Sequence, residues 1–517
     1  MTTTTPYLGS PEMHASLNGA AIALIDGETQ VSFAQWNAAA DRIAASLIAL
    51  GVKAGDRIAV RMNVRHEWFF IHAAAGKIGA GVVGVNHRLA GPEVAYMLED
   101  SGASAFILDD GEPAPLIEVW RGVSNGPVIS VTPASGAELF DALLAPTDAP
   151  ARIAPAPAPL VLYTSGTTGR PKGVMVSPDT LAKRENVMAY RGNLMALIPT
   201  DAQSRALVAL PFHHSSGPHT ALFCLMGGGA VVLVRRFDAE AALYLIQRHR
   251  ITHMTAVPTM LHRIRTLPAD VASRYDVSSM TYLTTGAAAV PQSLKFWVFD
   301  FFGPNCKLFE GYGMSETNMI SYLLPHEQRA KPSSSGKVLP FVELSIRANG
   351  GADAVPVGEV GEICVRTPMM IEGYLNRGPL SADELTPDGL FRTGDVGYLD
   401  DEGYLYITDR LKDMIIAGGS NIYPAEIESV LVEHPAIIDA AVIGVPSEEY
   451  GEQPLAFCEA RPGADAESVL AFCRERLARY KLPRDVIFVE ELPRNPTGKV
   501  TKAVLRAPYW QGRARQV

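Results

Sequence analysis

Apolar and polar residues show two kinds of pattern in the N-terminal part of the chain. Short β-branched runs predict strands, and stretches with a period near 3.6 residues predict the helices between them. Before residue 150 the predicted elements are strands Arg57–Met62, Val82–Val85 and Ala105–Leu108 and a helix over His66–Ile78. This strand–helix–strand order favours a mainly parallel sheet covered on both faces.

A second series of the same kind follows a proline-rich stretch, Ala149–Pro159, which predicts an extended connector. The longest apolar run, Ala221–Val234, contains three consecutive glycines and is shorter than the roughly 20 residues of a membrane span, so it predicts a helix end, a turn and a strand. The remaining predicted elements are strands Ala206–Leu210, Ala230–Val234, His253–Val257, Met280–Thr284 and Lys307–Phe309 and helices Ala239–Arg248 and Gln292–Phe302.

The pattern changes twice towards the C-terminus. From Gly361 it shows shorter strands and glycine turns, and a new region begins after Arg410. That region predicts helices Ala425–Glu433 and Glu467–Arg479 and strands Ala440–Val445 and Leu455–Glu459. We therefore expect a large domain over residues 1–410 and a small α+β domain over residues 411–517.

Composition narrows the class of protein. The chain has 517 residues, of which 47% are apolar and 19% charged, as in a globular protein. Its net charge of −10 argues against a nucleic-acid partner. The five cysteines are scattered without a C-x-x-C pair, and the first residues show no secretory signal, so we expect a cytoplasmic protein without a transmembrane segment.

The strongest chemical signal is residues 163–174, YTSGTTGRPKGV. Hydroxyls and backbone N–H groups after a strand can form an anion cradle, and a lysine adds charge at its far end. Pro171 before that lysine and Gly173 after it exclude a Walker A loop, and no G-x-S-x-G elbow is present. The cradle residues are Thr164, Ser165, Gly166, Thr167, Thr168, Gly169 and Lys172.

Six further segments follow in order. They are LPFHHSSG (210–217), TTGAAAVP (284–291), GYGMSET (311–317), FRTGDVG (391–397), DRLKDMIIAGGSNIYPAEIE (409–428) and PRNPTGK (493–499). Together with residues 163–174 they resemble the signature set of the adenylate-forming superfamily, which includes acyl-CoA synthetases, 4-coumarate–CoA ligase and firefly luciferase. The resemblance spans Thr164 to Lys499 and implies the α/β fold class: a large N-terminal domain of two α/β subdomains plus a small β-barrel, with a small mobile α+β C-terminal domain.

The resemblance implies an ATP site in the large domain. Glu316 matches a Mg²⁺ ligand, Tyr312 would face adenine, and Asp395 with Arg410 would bind ribose. The full implied set of ATP-binding residues is Thr164, Ser165, Gly166, Thr167, Thr168, Gly169, Lys172, Gly286, Ala287, Gly311, Tyr312, Gly313, Thr317, Asp395 and Arg410.

The C-terminal region would supply the remaining catalytic parts. Lys499 matches the lysine that stabilises charge during adenylation, Lys412 occupies the hinge position, and Gly418 and Gly419 would line the path of coenzyme A. In the large domain, His214 matches a residue near the acyl carboxylate. Adjacent His213 is expected to be structural, and zinc is disfavoured because neighbouring histidines on a strand point to opposite faces.

The acyl pocket implied by these segments is apolar. Gly286, Ala288 and Met314 are small or apolar, and Met260 could line the same cavity. This favours a hydrophobic acid, fatty or aromatic, because no arginine in these segments would pair a second carboxylate. Ser333–Phe341 departs from the family pattern, with Phe341 in place of a small residue.

The sequence thus predicts an ATP-dependent carboxylate–CoA ligase that forms acyl-AMP and pyrophosphate, then acyl-CoA and AMP. It would need ATP, Mg²⁺ and coenzyme A, act on a small-molecule carboxylic acid, and be a monomer or homodimer. Two alternatives remain open: an acyl-AMP ligase that loads a carrier protein, and a catalytically silent nucleotide-binding relative. The motifs alone also leave a luciferase-type oxygenase open.

Overall fold

The computed structural model describes most of the chain. The described residues are 6–7, 9–146, 157–164, 170–175, 184–286, 288, 290–348, 351–417, 420–494 and 500–511. Within those ranges every helix falls short of the length and apolar character that a membrane crossing requires.

Helices and strands alternate through the first three fifths of the chain. The helices are α1 (Pro11–Asn18), α2 (Phe33–Ala49), α3 (His66–Ile78), α4 (Gly91–Ser101), α5 (Ala114–Val123), α6 (Val187–Leu197), α7 (Ser216–Met226), α8 (Ala239–His249), α9 (Pro258–Arg265), α10 (Ala269–Ala272), α11 (Gln292–Phe302), α12 (Pro424–Leu431), α13 (Ala466–Arg474) and α14 (Lys502–Arg506). The strands are β1 (Ile22–Asp26), β2 (Thr29–Ser32), β3 (Arg57–Arg61), β4 (Gly81–Gly84), β5 (Ala105–Leu108), β6 (Val128–Ser130), β7 (Glu138–Leu139), β8 (Leu160–Thr164), β9 (Lys172–Met175), β10 (Arg205–Val208), β11 (Ala230–Leu233), β12 (His253–Ala256), β13 (Tyr282–Gly286), β14 (Lys307–Met314), β15 (Asn318–Leu323), β16 (Lys337–Val338), β17 (Glu343–Arg347), β18 (Gly361–Arg366), β19 (Phe391–Leu399), β20 (Leu405–Arg410), β21 (Ile415–Ala417), β22 (Ser420–Ile422), β23 (Ile437–Ser447), β24 (Gly451–Ala460) and β25 (Val486–Val489).

Two large sheets form the N-terminal part. The first has the order β7-β6-β5-β3-β4-β8-β9 and is parallel up to β8, where β9 returns antiparallel. The second has the order β16-β15-β14-β13-β12-β10-β11-β1-β2, with a parallel centre and antiparallel edges. Helices α2 and α3 pack in a core to which both sheets contribute, where the rings of Trp68 and Phe212 lie 4.5 Å apart. The two predicted α/β subdomains are confirmed.

Two smaller antiparallel arrangements complete the chain. Strands β17 to β20 form a four-stranded sheet, in the region where the sequence predicts short strands and glycine turns. The C-terminal sheet has the order β22-β21-β24-β23, with β25 parallel to β24, and α12 and α13 pack on its apolar face. The α/β fold class with a small C-terminal α+β unit is as predicted.

Most predicted elements are present, with shifted ends. Helices α3 and α11 match their predictions to the residue, and α7, the glycine turn and β11 divide residues 221–234 as expected. The strand predicted over Met280–Thr284 begins two residues later, at Tyr282, because Met280 N donates to Val277 O in a turn. The helix predicted to end at Arg479 ends at Arg474, since Ala478 takes an extended backbone. Most of the predicted connector, residues 149–156, lies outside the described residues.

Candidate active site

The carboxyl ends of the parallel strands bring the predicted nucleotide-binding segments together. Gly286, the last residue of β13, pairs with Gly311 of β14. A Cβ at Gly286 would lie 2.4 Å from the Gly311 carbonyl oxygen, and the φ of Gly286 is +156°, so only glycine at this position lets the end of β13 approach β14 so closely. Ala288 lies two residues after Gly286, and Ala287 between them lies outside the described residues. Ligands of open α/β sheets bind at this kind of edge.

Three residues predicted for adenine and ribose form one contact network. The Tyr312 hydroxyl donates to Asp395 Oδ2 at 2.8 Å, and Arg410 Nε lies 2.8 Å from Asp395 Oδ1. Asp395 and Arg410 are paired residues on β19 and β20, so the strand register sets their distance. The Asp395 charge raises the pKa of Arg410, while burial and Asp395 hold the pKa of Tyr312 well above its usual value. The network is a fixed carboxylate between a cation and a phenol.

A second network surrounds the predicted metal ligand. Glu316 is 6% exposed, and its Oε1 accepts hydrogen bonds from Thr164 Oγ1 at 3.0 Å and from the Tyr374 hydroxyl at 3.3 Å. Neighbouring Thr317 is fully buried and its hydroxyl donates to the Asn318 carbonyl, and its contact with ATP stays a prediction. A carboxylate beside a threonine hydroxyl is a set of hard oxygen donors, which fits Mg²⁺.

The predicted phosphate lysine has two neighbours that the sequence reasoning missed. Lys172 Nζ donates to Glu384 Oε1 at 2.8 Å and lies 4.4 Å from the centre of the Tyr374 ring. Tyr374 therefore contacts both Lys172 and Glu316. A tyrosine after a glycine was the only signal for it in the sequence, and that pair is too common to single out. The loop residues Ser165, Gly166, Thr167, Thr168 and Gly169 lie outside the described residues.

The histidine pair lies where the loop after β10 meets the first sheet. His213 is 5% exposed, and neither of its ring nitrogens has a hydrogen-bond partner among the described residues. Its ring packs between those of His87 and His214, with centroids 5.6 and 4.6 Å away. Burial lowers the pKa of His214 to about 4, and burial together with the charge of His214 lowers the pKa of His213 to about 2. Both rings are therefore neutral near pH 7.

The residues predicted for the acyl pocket are distributed over two apolar clusters. Met314 ends β14 and packs beside the four-stranded sheet, whereas Met260 on α9 packs into the core of the second sheet. Whether both line one cavity with Gly286 and Ala288 stays a prediction. Phe341, which departs from the family pattern, has a positive φ and is 47% exposed, so its ring does not fill the core.

The predicted hinge and lysine loop belong to the C-terminal part. Exposed Lys412 lies in the turn between β20 and β21, where Asp413 N and Met414 N both donate to Arg410 O. Gly418, Gly419 and Lys499 lie outside the described residues. Arg494 and Val500, the described residues on either side of positions 495–499, form an antiparallel backbone bridge.

A group of charged residues behind the hinge was also missed. Lys502 Nζ lies 2.7 Å from Glu428 Oε1, and Arg506 donates to Asp413 Oδ1 at 2.7 Å. Asp409 accepts from Ala425 N with its second oxygen at 2.9 Å. Burial raises the pKa of Asp409 and of Glu428, and these carboxylates raise the pKa of Lys502 against the effect of its own burial. The group connects the end of β20 with α12 and α14.

Comparison with known proteins agrees with this geometry. The model of the family described as "AMP-binding enzyme" matches residues 12–375, and that of the "AMP-binding enzyme C-terminal domain" matches residues 426–499. The chain belongs to the AMP-binding enzyme family. The predicted adenylate-forming superfamily is thereby confirmed.

Several similar members of the AMP-binding enzyme family are CoA ligases. A long-chain-fatty-acid–CoA ligase of Mycobacterium tuberculosis is 37% identical over 93% of this chain and 94% of its own length. A feruloyl-CoA synthase of an Amycolatopsis species is 36% identical over 97% and 99%. The solved o-succinylbenzoate CoA synthetase of Bacillus subtilis, in complex with its acyl-adenylate intermediate, is 31% identical with a TM-score of 0.82 over 99% and 100%. The prediction of an AMP-forming acid–thiol ligase that uses ATP and coenzyme A is confirmed.

Proposed function

We propose that this chain activates a hydrophobic carboxylic acid with ATP and transfers the acyl group to coenzyme A. The observation that carries the proposal is the Tyr312–Asp395–Arg410 network near the Thr164–Glu316 pair, where β8 and β14 of the two large sheets meet β19 and β20 of the four-stranded sheet. The first could hold a nucleoside and the second a metal-bound polyphosphate. The proposed division is residues 1–410 for ATP and acid and residues 411–517 for the lid.

In the first step, a carboxylate oxygen of the acid attacks the α-phosphorus, and the bond to the bridging oxygen breaks to release pyrophosphate. Two anions meet, so the site must stabilise charge before the bond forms. Lys172 and Lys499 would supply positive charge at the phosphates. Mg²⁺ held by Glu316 would neutralise phosphate charge when bound. Asp395 would fix the ribose by accepting hydrogen bonds from its hydroxyls.

His214 would act near the acid in its neutral form. Because its pKa is lowered to about 4, it carries no charge near pH 7 and cannot trap the attacking carboxylate in an ion pair. Its Nε2 atom has no hydrogen-bond partner among the described residues, so in the tautomer protonated at Nε2 it would be able to donate a hydrogen bond to the carboxylate of the acid. In the second step the thiol of coenzyme A attacks the acyl carbon, and AMP leaves; Gly418 and Gly419 would line the thiol's path.

The acid class follows from the pocket residues. Gly286, Ala288, Met314 and Met260 offer small or apolar surface, which suits a fatty or aromatic acid. The similar relatives act on acids of both kinds by name. The five cysteines are free and buried, which agrees with the proposed location in a reducing cytoplasm. For the oligomeric state we propose a monomer or homodimer.

Pyrophosphate release across a panel of fatty and aromatic acids, with and without coenzyme A, tests the proposal. We expect release with a subset of hydrophobic acids, and conversion to a thioester and AMP only when coenzyme A is present. Pyrophosphate release without thioester formation on coenzyme A, but with thioester formation on an added phosphopantetheinyl carrier protein, would favour the carrier-loading alternative. ATP binding without release for any acid would favour the catalytically silent relative.

A further inference from the structure

The ammonium of Lys172, the lysine of the predicted phosphate loop, contacts a carboxylate. Lys172 begins β9, pairs with Thr164 across the two strands that flank the loop, and donates to Glu384 Oε1 at 2.8 Å. The side chains of Lys172 and Glu384 are 14% and 22% exposed. Water therefore screens this ion pair less than it would a surface pair.

Glu384 is fixed in place by its own turn. Its second oxygen, Oε2, accepts from Ser381 N at 2.9 Å and from Ser381 Oγ at 3.0 Å, and its carbonyl accepts from Arg392 N. Burial alone would raise the pKa of Glu384, but the hydrogen bonds from Lys172 and Ser381 outweigh it and lower that pKa. The carboxylate is thus ionised near pH 7 and directed at Lys172.

Tyr374 defines the other side of the ammonium. Its ring centre lies 4.4 Å from Lys172 Nζ, and its hydroxyl donates to Glu316. Backbone hydrogen bonds from Ile371 N to Glu316 O and from Leu375 N to Gly173 O hold its segment against both neighbours. The ammonium is therefore confined between an aromatic face and the Glu384 carboxylate.

We propose that Glu384 competes with the phosphates for Lys172 and so sets the affinity of the site for pyrophosphate and ATP. The inference rests on the proposed function, in which Lys172 contacts the phosphates. To bind a phosphate oxygen, the ammonium must give up or share its contact with Glu384, which reduces the net free energy of binding. When pyrophosphate leaves, the hydrogen bond between the Lys172 ammonium and Glu384 forms again. Glu384 is in this sense a positioning residue, because it acts through Lys172.

The test is the dissociation constant of inorganic pyrophosphate, measured by calorimetry on the full chain at constant Mg²⁺ concentration. In Glu384→Gln the amide oxygen can still accept from Ser381, but the negative charge is lost. We expect pyrophosphate to bind about three- to tenfold more tightly, the range for an ion pair worth at most one tenfold step. A merely structural role would change the affinity in the opposite direction.

Removing any negative charge favours anion binding slightly, so a matched variant is needed. Glu372 belongs to the same segment as Tyr374. Its side chain is 70% exposed, and it pairs with Arg184 instead of Lys172. Glu372→Gln makes the same change of charge and should leave the dissociation constant within twofold of wild type. An equal shift in both variants would overturn the proposal.

A double variant shows whether the effect passes through Lys172. In a Lys172→Met background, Glu384→Gln should no longer tighten pyrophosphate binding. Weaker or unchanged binding in Glu384→Gln alone, in a chain that melts at the wild-type temperature, would also overturn the proposal. Failure of the wild-type chain to bind ATP or pyrophosphate at all would instead contradict the proposed function.

Discussion

Asp395 contacts a neutral phenol and a cation, and the contribution of its charge to ATP binding can be separated from that of the phenol. Tyr312→Phe removes a neutral donor, whereas Asp395→Asn removes the charge that Arg410 balances. We expect ATP binding to weaken about fivefold in the first, which leaves the Asp395 charge in place, and well over tenfold in the second, since a hydrogen bond of a charged group is worth roughly 1.5–3 kcal/mol. Calorimetric titration with ATP measures both. Equal losses would mean that the Asp395 charge does not contact the nucleotide.

His213 predicts a dependence of stability on pH. The unfolded chain protonates this residue near pH 6.5, but the folded chain does so only near its lowered pKa of about 2. The unfolded state therefore binds more protons between these values, and the free energy of unfolding falls as pH decreases below 6.5. By pH 5 the loss from this one residue should be about 2 kcal/mol.

His213→Phe checks this directly. The substitution keeps an aromatic ring and breaks no hydrogen bond among the described residues. Urea unfolding at pH 7.5, 6 and 5 should show a shallower loss of stability in the variant, with the difference from wild type growing as pH falls. Parallel curves for the two proteins would show that His213 protonates in the folded chain.

At the scale of elements, the charged group behind the hinge joins α14 to α12 and β20. Lys502→Met removes the cation that pairs with Glu428 and that acts electrostatically on Asp409. We expect the free energy of unfolding to fall by about 3 kcal/mol, at the low end for breaking a buried pair, because the side chains of Lys502 and Glu428 keep 14% and 20% exposure.

The partner variant decides whether charge is the cause. Lys502→Met combined with Glu428→Gln should recover part of the loss, since the buried carboxylate is then neutral and can still accept from Val442 N. Urea unfolding of the single and double variants gives the comparison. A further loss in the double variant would show that packing of the lysine stem is what matters.

Sequence periodicity predicted the elements whose burial is set locally. Helices α3 and α11 follow from their own apolar pattern, and the motifs that contain Gly286 and Gly311 lie at the end of β13 and within β14. Tyr374 and Glu384 could not be found this way, because the segment around them has no regular period and their contacts are to residues distant in sequence. The pairing of Lys502 with Glu428 likewise depends on how α14 packs.

The hinge proposal concerns a single turn. Rotation at Lys412 must break the hydrogen bonds that Asp413 N and Met414 N make to Arg410 O. Lys412→Pro fixes φ near −65° and should restrict that rotation, so we expect acyl-AMP formation to be measurable and thioester formation to fall at least tenfold. Single-turnover assays of the two steps, with Lys412→Ala as the matched control, separate them. Equal retention of both steps would place the hinge elsewhere.

At the scale of the whole molecule, the lysine loop is anchored to the C-terminal sheet near the large domain. Arg494 donates to Asp439 Oδ2 at 2.6 Å and to Glu459 Oε1 at 2.9 Å, and Thr501 N donates to Pro493 O. The same Asp439 and Glu459 act on His262 of α9, whose pKa is lowered by burial against their influence. The carboxylates at the base of the loop thus act electrostatically on the helix that carries the proposed pocket residue Met260.

This arrangement predicts that substitutions of Lys499 and of Arg494 at the base of its loop both slow acyl-AMP formation, but to different degrees. Lys499→Ala removes a charge proposed to act on the α-phosphate, so acyl-AMP formation should fall by about 10²–10³ or more. Arg494→Gln keeps Lys499 but loosens the base of its loop, so we expect a smaller loss in the same step. Conversion of supplied acyl-AMP and coenzyme A to thioester should be nearly intact in both. Arg461→Gln, at an exposed arginine after β24, serves as the control. Rapid-quench measurement of each step gives the pattern, and equal losses in both steps would contradict a lid that serves adenylation in one position and thioester formation in another.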